Sequence, residues 1–299
     1  MRITNKMLTD NFIKNLSKNL GRMDKYHNQL SSGKEVSKPS DNPMLVSKIM
    51  SLRNNVMQNE QYNTNIRDTI GWVETQDTAL GDLTGTLNRI RDLIIYGSNG
   101  ALSETDRNAI KNEVEVEVDG IVDVLNTNFD GRYIFAGQKT MSKPFENVDG
   151  MIKYNGNDKN IEREISSGVT TELMTNGGEI TGKGTASPDE LGEFLDSVIQ
   201  ALAEGNTDDL SGKLLGEIDD HIDNVIRLRT GVGATHNRLL ASEERNKAEN
   251  LNLNKLLSDR EDIDIAEKYM EYSVMAVVYQ ASLSVGAKIL QPSLMDYLR

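Results

Sequence analysis

The longest regular pattern of hydrophobic positions lies between residues 45 and 94, where apolar side chains recur alternately four and three residues apart. Ten of the fifteen positions in this series are apolar. Such a repeat is typical of a long helix with a coiled-coil seam. A helix of this length spans roughly 75 Å at about 1.5 Å per residue, so the pattern predicts an elongated, rod-like molecule. The series is Leu45, Ile49, Leu52, Val56, Asn59, Asn63, Ile66, Ile70, Val73, Asp77, Leu80, Thr84, Leu87, Arg91 and Ile94.

Shorter helical patterns lie on both sides of this segment. Gly97 and Gly100 end the long helix, and Ser103 with Asp106 three residues later predicts a capped start for the next one. Near residue 187 the run Ser-Pro-Asp-Glu predicts another start, with an N-cap serine, proline in the first turn and glutamate at the third position. The predicted helices besides the long one cover about 5–30, 103–125, a segment from 187, 208–258 and 264–291.

The character of the chain changes between about residues 126 and 187. Strand-like runs alternate there with turns rich in Asn, Gly and Asp, which predicts a small antiparallel β domain. The runs cover residues 132–136, 151–154, 161–165 and 169–173.

This order of elements predicts a mainly α fold, an elongated antiparallel helical bundle or coiled-coil rod. The N- and C-terminal helices would pair with each other, and the small β domain would be inserted at the tip. The predicted division is a terminal-helix domain (1–42 plus 258–299), a helical rod (43–137 plus 188–257) and a β-rich outer domain (138–187).

Composition narrows the classes of function. The 299 residues include 46 Asp and Glu against 33 Lys and Arg, a net charge of −13, which disfavours nucleic acid because phosphate binding requires a basic face. The chain has no cysteine, which excludes disulfides and thiolate chemistry. The uncharged stretch 272–287 is too short to span a membrane, and the first residues lack the apolar run of a cleaved leader. We therefore expect no nucleic acid partner and no membrane insertion.

The sequence offers no constellation for catalysis, a cofactor or a metal. His27, His221 and His236 are far apart on predicted helices, without the spacing of metal ligands. The glycine-rich run 177–183 has the spacing of a phosphate loop, but Gly184 stands where that motif needs Ser or Thr. Carboxylate clusters on amphipathic helices are usually solvated faces. We expect a protein that is not an enzyme and has no catalytic, cofactor-binding or metal-binding residues.

Four short motifs resemble the flagellin-like family of bacterial structural proteins. Residues 31–43 read SSGKEVSKPSDNP, and residues 128–137 read NFDGRYIFAG. Residues 258–267 read SDREDIDIAE, and residues 292–298 close the chain with PSLMDYL. The proline-containing link and this tail are more similar to hook-associated members of the family than to flagellin. The motifs occur in the family's order, at both ends of a chain of suitable length.

The resemblance implies a self-assembling structural subunit that joins the hook of the bacterial flagellum to its filament. Its implied partners are copies of itself in a ring or tube, the adjacent hook-associated protein 1 and flagellin, and a flagellar export chaperone on the C-terminal helix. The implied location is extracellular, in the flagellum, reached without a cleaved signal peptide. Flagellin itself is the alternative within the family, and a cytoplasmic coiled-coil adaptor is the alternative outside it.

The two terminal helices are the predicted site of assembly. Residues 1–42 carry a charge of +4 and residues 258–299 a charge of −3, which favours pairing of the two helices. Each has an apolar stripe but few aromatic residues, so alone it is marginally stable and we expect it to fold as subunits stack. The predicted interface residues are Leu8, Phe12, Leu16, Met23, Leu30, Ala266, Met270, Val274, Val277, Ala281, Ile289, Leu294, Tyr297 and Leu298.

Overall fold

The computed structural model describes residues 5–148, 151–182 and 189–290 of the chain. Most of these residues are helical, as the periodicity predicts. The helices are α1 (Asn5–Ser32), α2 (Pro43–Gly97), α3 (Glu104–Leu125), α4 (Gly178–Thr181), α5 (Glu190–Glu204), α6 (Thr207–Ser211), α7 (Lys213–Glu261) and α8 (Ile265–Leu290). The strands are β1 (Asn128–Phe129), β2 (Arg132–Tyr133), β3 (Phe145–Val148), β4 (Met151–Tyr154), β5 (Ile161–Ser166) and β6 (Val169–Leu173).

The chain divides into two compact units. One contains residues 1–58 and 249–299, and the other contains residues 59–248. The three-part division expected from the sequence uses different boundaries and stays a prediction.

The seam expected along α2 is confirmed. All fifteen positions of the series from Leu45 to Ile94 are buried or partly buried. Two of its polar members pair with α7: Asn63 Nδ2 donates to Asn246 Oδ1 at 3.0 Å, and the Asp77 carboxylate accepts from Arg229 Nε at 2.8 Å. Arg91 likewise pairs with Asp219 on α7. Residues further along α2 pair with residues nearer the start of α7, so the two helices are antiparallel.

The second half of α2 is buried on more than this one stripe. Trp72 is 2% exposed and meets the ring of Phe129 edge to face at 6.1 Å. Leu83 and Ile90 are fully buried although they lie outside the seam series. Gln76 is buried as well, and its Nε2 donates to Met174 O at 2.6 Å. A single seam does not explain the burial of these residues. They are buried because the β region and α5 also pack on this part of α2.

The capping signal at the start of α3 is confirmed. The Ser103 side chain accepts from the Asp106 N–H, and the Asp106 carboxylate accepts from the Ser103 N–H. The signal near residue 187 is wrong in register. The structure begins α5 at Glu190 with Asp189 as the N-cap, and the Asp189 carboxylate accepts from Tyr154 N at 3.1 Å instead of capping its own helix. The two residues before it lie outside the described residues. The predicted helix at 208–258 is interrupted at Gly212, which separates α6 from α7.

The β region consists of three antiparallel two-stranded ladders, β1–β2, β3–β4 and β5–β6. The strands β4, β5 and β6 lie where the sequence predicts them, whereas the run at 132–136 has only two residues in a strand. The hairpin β5–β6 lies against the side of α2 and α7: Asn65 Nδ2 donates to Glu164 O at 3.2 Å, and Arg238 Nη2 lies 3.5 Å from Thr170 O. The helices thus provide the packing surface for the buried side chains of the hairpin, Ile165, Thr171 and Leu173.

Gly192 sets how closely α5 approaches β4. A Cβ atom at this position would lie 2.6 Å from Ile152 O and 2.8 Å from Ile152 N. Since backbone atoms cannot move aside as a side chain can, we expect Gly192→Ala to lower the free energy of unfolding by roughly 1–3 kcal/mol. Urea unfolding of the purified chain measures this change. Gly120→Ala in α3, where nothing lies within 4 Å, is the control and should raise stability by up to about 1 kcal/mol. Equal effects of the two substitutions would contradict the packing of α5 on β4.

Candidate assembly surface

The terminal helices α1 and α8 pair antiparallel, as the sequence predicts. Phe12 near the start of α1 meets Gly286 near the end of α8, and the rings of His27 and Tyr272 lie 6.3 Å apart at the other end. A Cβ atom on Gly286 would lie 2.1 Å from Phe12 Cζ. Any side chain at this position would have to displace the Phe12 ring, so glycine permits the close approach of the two helices seen here.

The predicted interface residues of α1 face this pairing. Phe12, Leu16, Met23 and Leu30 are partly buried at helical spacing, in register with the Phe12–Gly286 contact, whereas Leu8 is 44% exposed. These side chains stabilise unit 1 itself. What they contribute to contacts with other subunits stays a prediction.

The predicted interface residues of α8 face the other way. Met270, Val274 and Val277 are 64%, 54% and 67% exposed, and Ala266 and Ala281 are exposed too. We call Ala266, Met270, Val274, Val277 and Ala281 the outer stripe. Of the other predicted positions, the Ile289 side chain, Leu294, Tyr297 and Leu298 lie outside the described residues.

The side of α8 that packs on α1 is a second stripe, which the sequence analysis did not separate from the first. Its members are buried or partly buried: Tyr272, Met275, Tyr279, Ser282 and Gly286. Residues 272–287 contain no charged side chain, so α8 is apolar or small on both sides. That uncharged run is the signal that could have revealed two faces, since a helix with one solvated face normally carries charges on it.

A clasp joins the end of α1 to the end of α7. Gly33 ends α1 with a φ of +69°, and its N–H donates to Gln29 O at 2.8 Å, a left-handed C-terminal cap that suits glycine. The next residues pair with the turn after α7: Glu35 N donates to Glu261 O at 2.8 Å, and Ile263 N donates to Gly33 O at 3.1 Å. The motifs at 31–43 and 258–267 are thus in contact.

Charged side chains complete this clasp around a buried carboxylate. Glu261 is 5% exposed, and its Oε1 lies 2.8 Å from Lys34 Nζ. The Arg53 guanidinium binds both oxygens of the same carboxylate, with Nε 3.1 Å from Oε2. Lys34 also binds Asp262 at 2.8 Å. First Arg53 and then Lys34 hold the pKa of Glu261 below its ordinary value of 4.5, against the opposing effect of burial.

Lys268 anchors the first turn of α8 in the same region. Its ammonium lies 3.2 Å from the Glu271 carboxylate, 3.5 Å from that of Glu35 and 5.8 Å from the centre of the Tyr26 ring. The partial burial of this lysine is offset by the two carboxylates, which raise its pKa. The sequence analysis missed the clasp and this anchor, because residues more than two hundred positions apart give no local signal of their pairing.

The described part of the chain contains no group of three or more His, Asp or Glu side chains placed to hold a metal ion. His236 Nε2 lies 3.3 Å from a Glu74 oxygen, and His221 is buried against the Phe194 ring. No helix among the described residues is long and apolar enough to cross a membrane.

Both helical ends of the chain match family models. Residues 3–140 match the bacterial flagellin N-terminal helical region, and residues 215–298 match the bacterial flagellin C-terminal helical region. Together the two matches take in α1, α2, α3, α8 and nearly all of α7. The chain belongs to the flagellin family. The expected resemblance is confirmed, and the unmatched middle of this flagellin-family chain holds β3 to β6 and α4 to α6.

Individual relatives span almost the whole chain. Flagellar hook-associated protein 3 of Escherichia coli strain K12 is 27% identical over 94% of this chain and 95% of that protein. Flagellin of Bacillus subtilis strain 168 is 24% identical over 96% of each. The solved structure of a candidate flagellar hook-associated protein from Vibrio parahaemolyticus is 25% identical, with a TM-score of 0.67, and covers 74% of this chain and 100% of that one. The flagellin-family fold of this chain is therefore shared with hook-associated proteins.

The lowered pKa of Glu261 predicts a pH-dependent clasp. A carboxylate whose pKa is lower in the folded chain stabilises the fold above its ordinary value of 4.5, and this contribution is lost as pH falls through the folded value. Because Arg53 and Lys34 are partly exposed, we expect Glu261→Gln to weaken the clasp by only about 1 kcal/mol at pH 7. Amide hydrogen exchange of residues 249–263 measures this loss.

Two comparisons make this test specific. The difference between the natural chain and Glu261→Gln should shrink at a pH well below 4.5. Glu244→Gln, whose carboxylate pairs only with the exposed Lys247 one turn away, should leave exchange unchanged at both pH values. A Glu261→Gln effect that is the same at pH 7 and at acidic pH is incompatible with an ionised Glu261 in the clasp.

Proposed function

We propose that this chain is a structural subunit of the bacterial flagellum that joins the hook to the filament by self-assembly through α1 and α8. The observation that carries this proposal is the near full-length similarity to hook-associated protein 3 of Escherichia coli, in a chain whose C-terminal helix presents a free apolar stripe. The motifs at 31–43 and 292–298 support the same assignment over flagellin.

The outer stripe of α8 gives the physical reason for assembly. Met270, Val274 and Val277 are more than half exposed, with Ala281 on the same side. Contiguous apolar surface of this kind is unfavourable in water and marks a protein contact. Because α1 already covers the opposite side of α8, the outer stripe is available to a neighbouring subunit.

The partners follow from this role. The chain would contact copies of itself in a ring or tube, with hook-associated protein 1 and flagellin as its neighbours. A flagellar export chaperone would bind the C-terminal helix, since an amphipathic helix suits a hydrophobic groove. The site of action is the flagellum outside the cell. In this proposal residues 1–42 and 258–299 act as the inner assembly domain.

A single charge on the outer stripe should prevent assembly without unfolding the chain. We expect Val277→Asp to abolish incorporation into flagella, because burying an unpaired carboxylate between subunits is strongly unfavourable. The control is Val169→Asp on β6, where the valine is 44% exposed. Circular dichroism of both variants checks the fold, and immunodetection in sheared flagella measures incorporation. Normal incorporation of Val277→Asp would show that the outer stripe is not part of the interface between subunits.

The terminal helices should gain most of their stability from neighbouring subunits. We expect residues 1–40 and 260–299 to be cut first in limited proteolysis of the isolated chain, and to resist the same protease in isolated flagella. Helices with few aromatic residues and one packed partner are marginal alone, which is the reason for this difference. Equal resistance in the isolated and assembled states contradicts folding on assembly.

Flagellin is the second candidate, favoured by the similarity to the Bacillus subtilis protein over 96% of both chains. A deletion strain separates the two functions. Loss of a junction protein leaves hooks and releases unpolymerised flagellin into the medium, whereas loss of flagellin leaves none to release. A cytoplasmic coiled-coil adaptor would be absent from sheared flagella altogether.

A further inference from the structure

The outward face of α1 carries a row of four cations. Lys14, Lys18, Arg22 and Lys25 follow one another at intervals of four, four and three residues, which places them on one side of the helix. All four side chains are exposed. We call these four residues the basic row. It lies about a third of a turn away from the side of α1 that carries Phe12, Leu16 and Met23.

The basic row has no carboxylate partner within the described part of the chain. None of its four members forms an ion pair there, in contrast to Lys34, Arg53 and Lys268 of the same unit. Of the two acidic residues of α1, Asp24 lies on a different side of the helix, and Asp10 lies one turn before Lys14 without forming an ion pair with it among the described residues. Like charges three and four residues apart destabilise a helix by a few tenths of a kcal/mol per pair. The isolated α1 therefore bears an electrostatic cost that a carboxylate surface would relieve.

The remainder of the chain is strongly acidic. The first 42 residues have a charge of +4 while the whole chain has −13, so residues 43–299 carry −17. One exposed face repeats the spacing of the basic row with opposite sign: Glu115, Asp119 and Asp123 on α3, four residues apart. Glu115 pairs with Lys111 at 3.5 Å, whereas Asp119 accepts only a neutral hydrogen bond from Asn147 Nδ2 at 2.7 Å, which leaves its charge available.

We propose that the basic row of α1 docks on the acidic surface of a second copy of this chain, with the α3 face as its partner. The inference rests on the proposed function, because self-assembly is what brings two copies together. Local charge complementarity argues for a copy, because each copy carries exposed carboxylates at the same helical spacing as the basic row. Apolar contacts of the outer stripe supply affinity, and the basic row fixes which surface of the neighbour α1 meets.

Zero-length cross-linking with a carbodiimide tests the contact directly in isolated flagella. This reagent couples lysine to a carboxylate only where the two touch, and we expect products that link Lys14 or Lys18 to α3 of another copy. The Lys14→Arg, Lys18→Arg variant retains the charge but cannot be coupled, so it should lose these products and still assemble. Cross-links from the basic row to a different protein, or only within one chain, overturn the proposal.

Charge reversal tests whether the basic row contributes to the stability of the contact between two copies. We expect Lys14→Glu, Lys18→Glu, Arg22→Glu to reduce incorporation into flagella by about tenfold or more, because attractive pairs become repulsive. Reversing Glu115, Asp119 and Asp123 to lysine in the same chain should restore it. Lys139→Glu, Lys143→Glu, Lys159→Glu, three exposed lysines of the β region, is the control and should incorporate normally.

The outcomes separate this inference from the proposed function. If the natural chain is absent from flagella, the proposed function fails. If the natural chain is present and the reversed basic row incorporates equally well, only the docking inference fails. If the reversed basic row reduces incorporation and the compensating change on α3 does not restore it, α3 is excluded as the partner surface.

Discussion

The fold depends on the antiparallel packing of α2 with α7 along one continuous apolar seam. Neither helix could be stable at such length by propensity alone, because helices in water gain most of their stability from a packed face. Here every seam position of α2 is at least partly buried, and two of the polar members, Asn63 and Asp77, pair with Asn246 and Arg229 of α7. The β hairpins and α5 then use the remaining sides of α2 as their packing surface.

The clasp at Glu261 shows how the terminal helices are tied to this seam. A buried carboxylate is costly unless it is paired and hydrogen-bonded, and Glu261 meets both conditions through Arg53 and Lys34. Arg53 lies on α2 and Lys34 in the link after α1, so one carboxylate connects three segments of unit 1. This contact joins the link at 31–43 to the segment at 258–267, the two segments that resemble family motifs.

The two-sided character of α8 connects structure and function. One side packs on α1, with Gly286 giving Phe12 room, while the other side presents Met270, Val274 and Val277 to solvent. A helix that is apolar on both sides needs a packing partner on each side to remove its apolar surface from water, and α1 is only one of these partners. Assembly into the flagellum is the natural source of the second. In the proposed contact, the cations on α1 and the carboxylates on α3 determine which surfaces of two copies meet, because apolar contact alone is not specific.

The sequence by itself determined the long helices, the seam of α2, the Ser103 cap and membership of the flagellin family, because each is written in local spacing or short motifs. It also found the outer stripe of α8, whose members recur at helical intervals. Only the tertiary structure decided that this stripe faces outward while Tyr272, Met275 and Tyr279 pack on α1. Periodicity identifies a face of a helix but not its partner, and that choice depends on what the rest of the chain brings alongside. The same limit hid the Glu261 clasp, the start of α5 at Glu190 and the place of the β hairpins beside α2, since each rests on residues far apart in the chain.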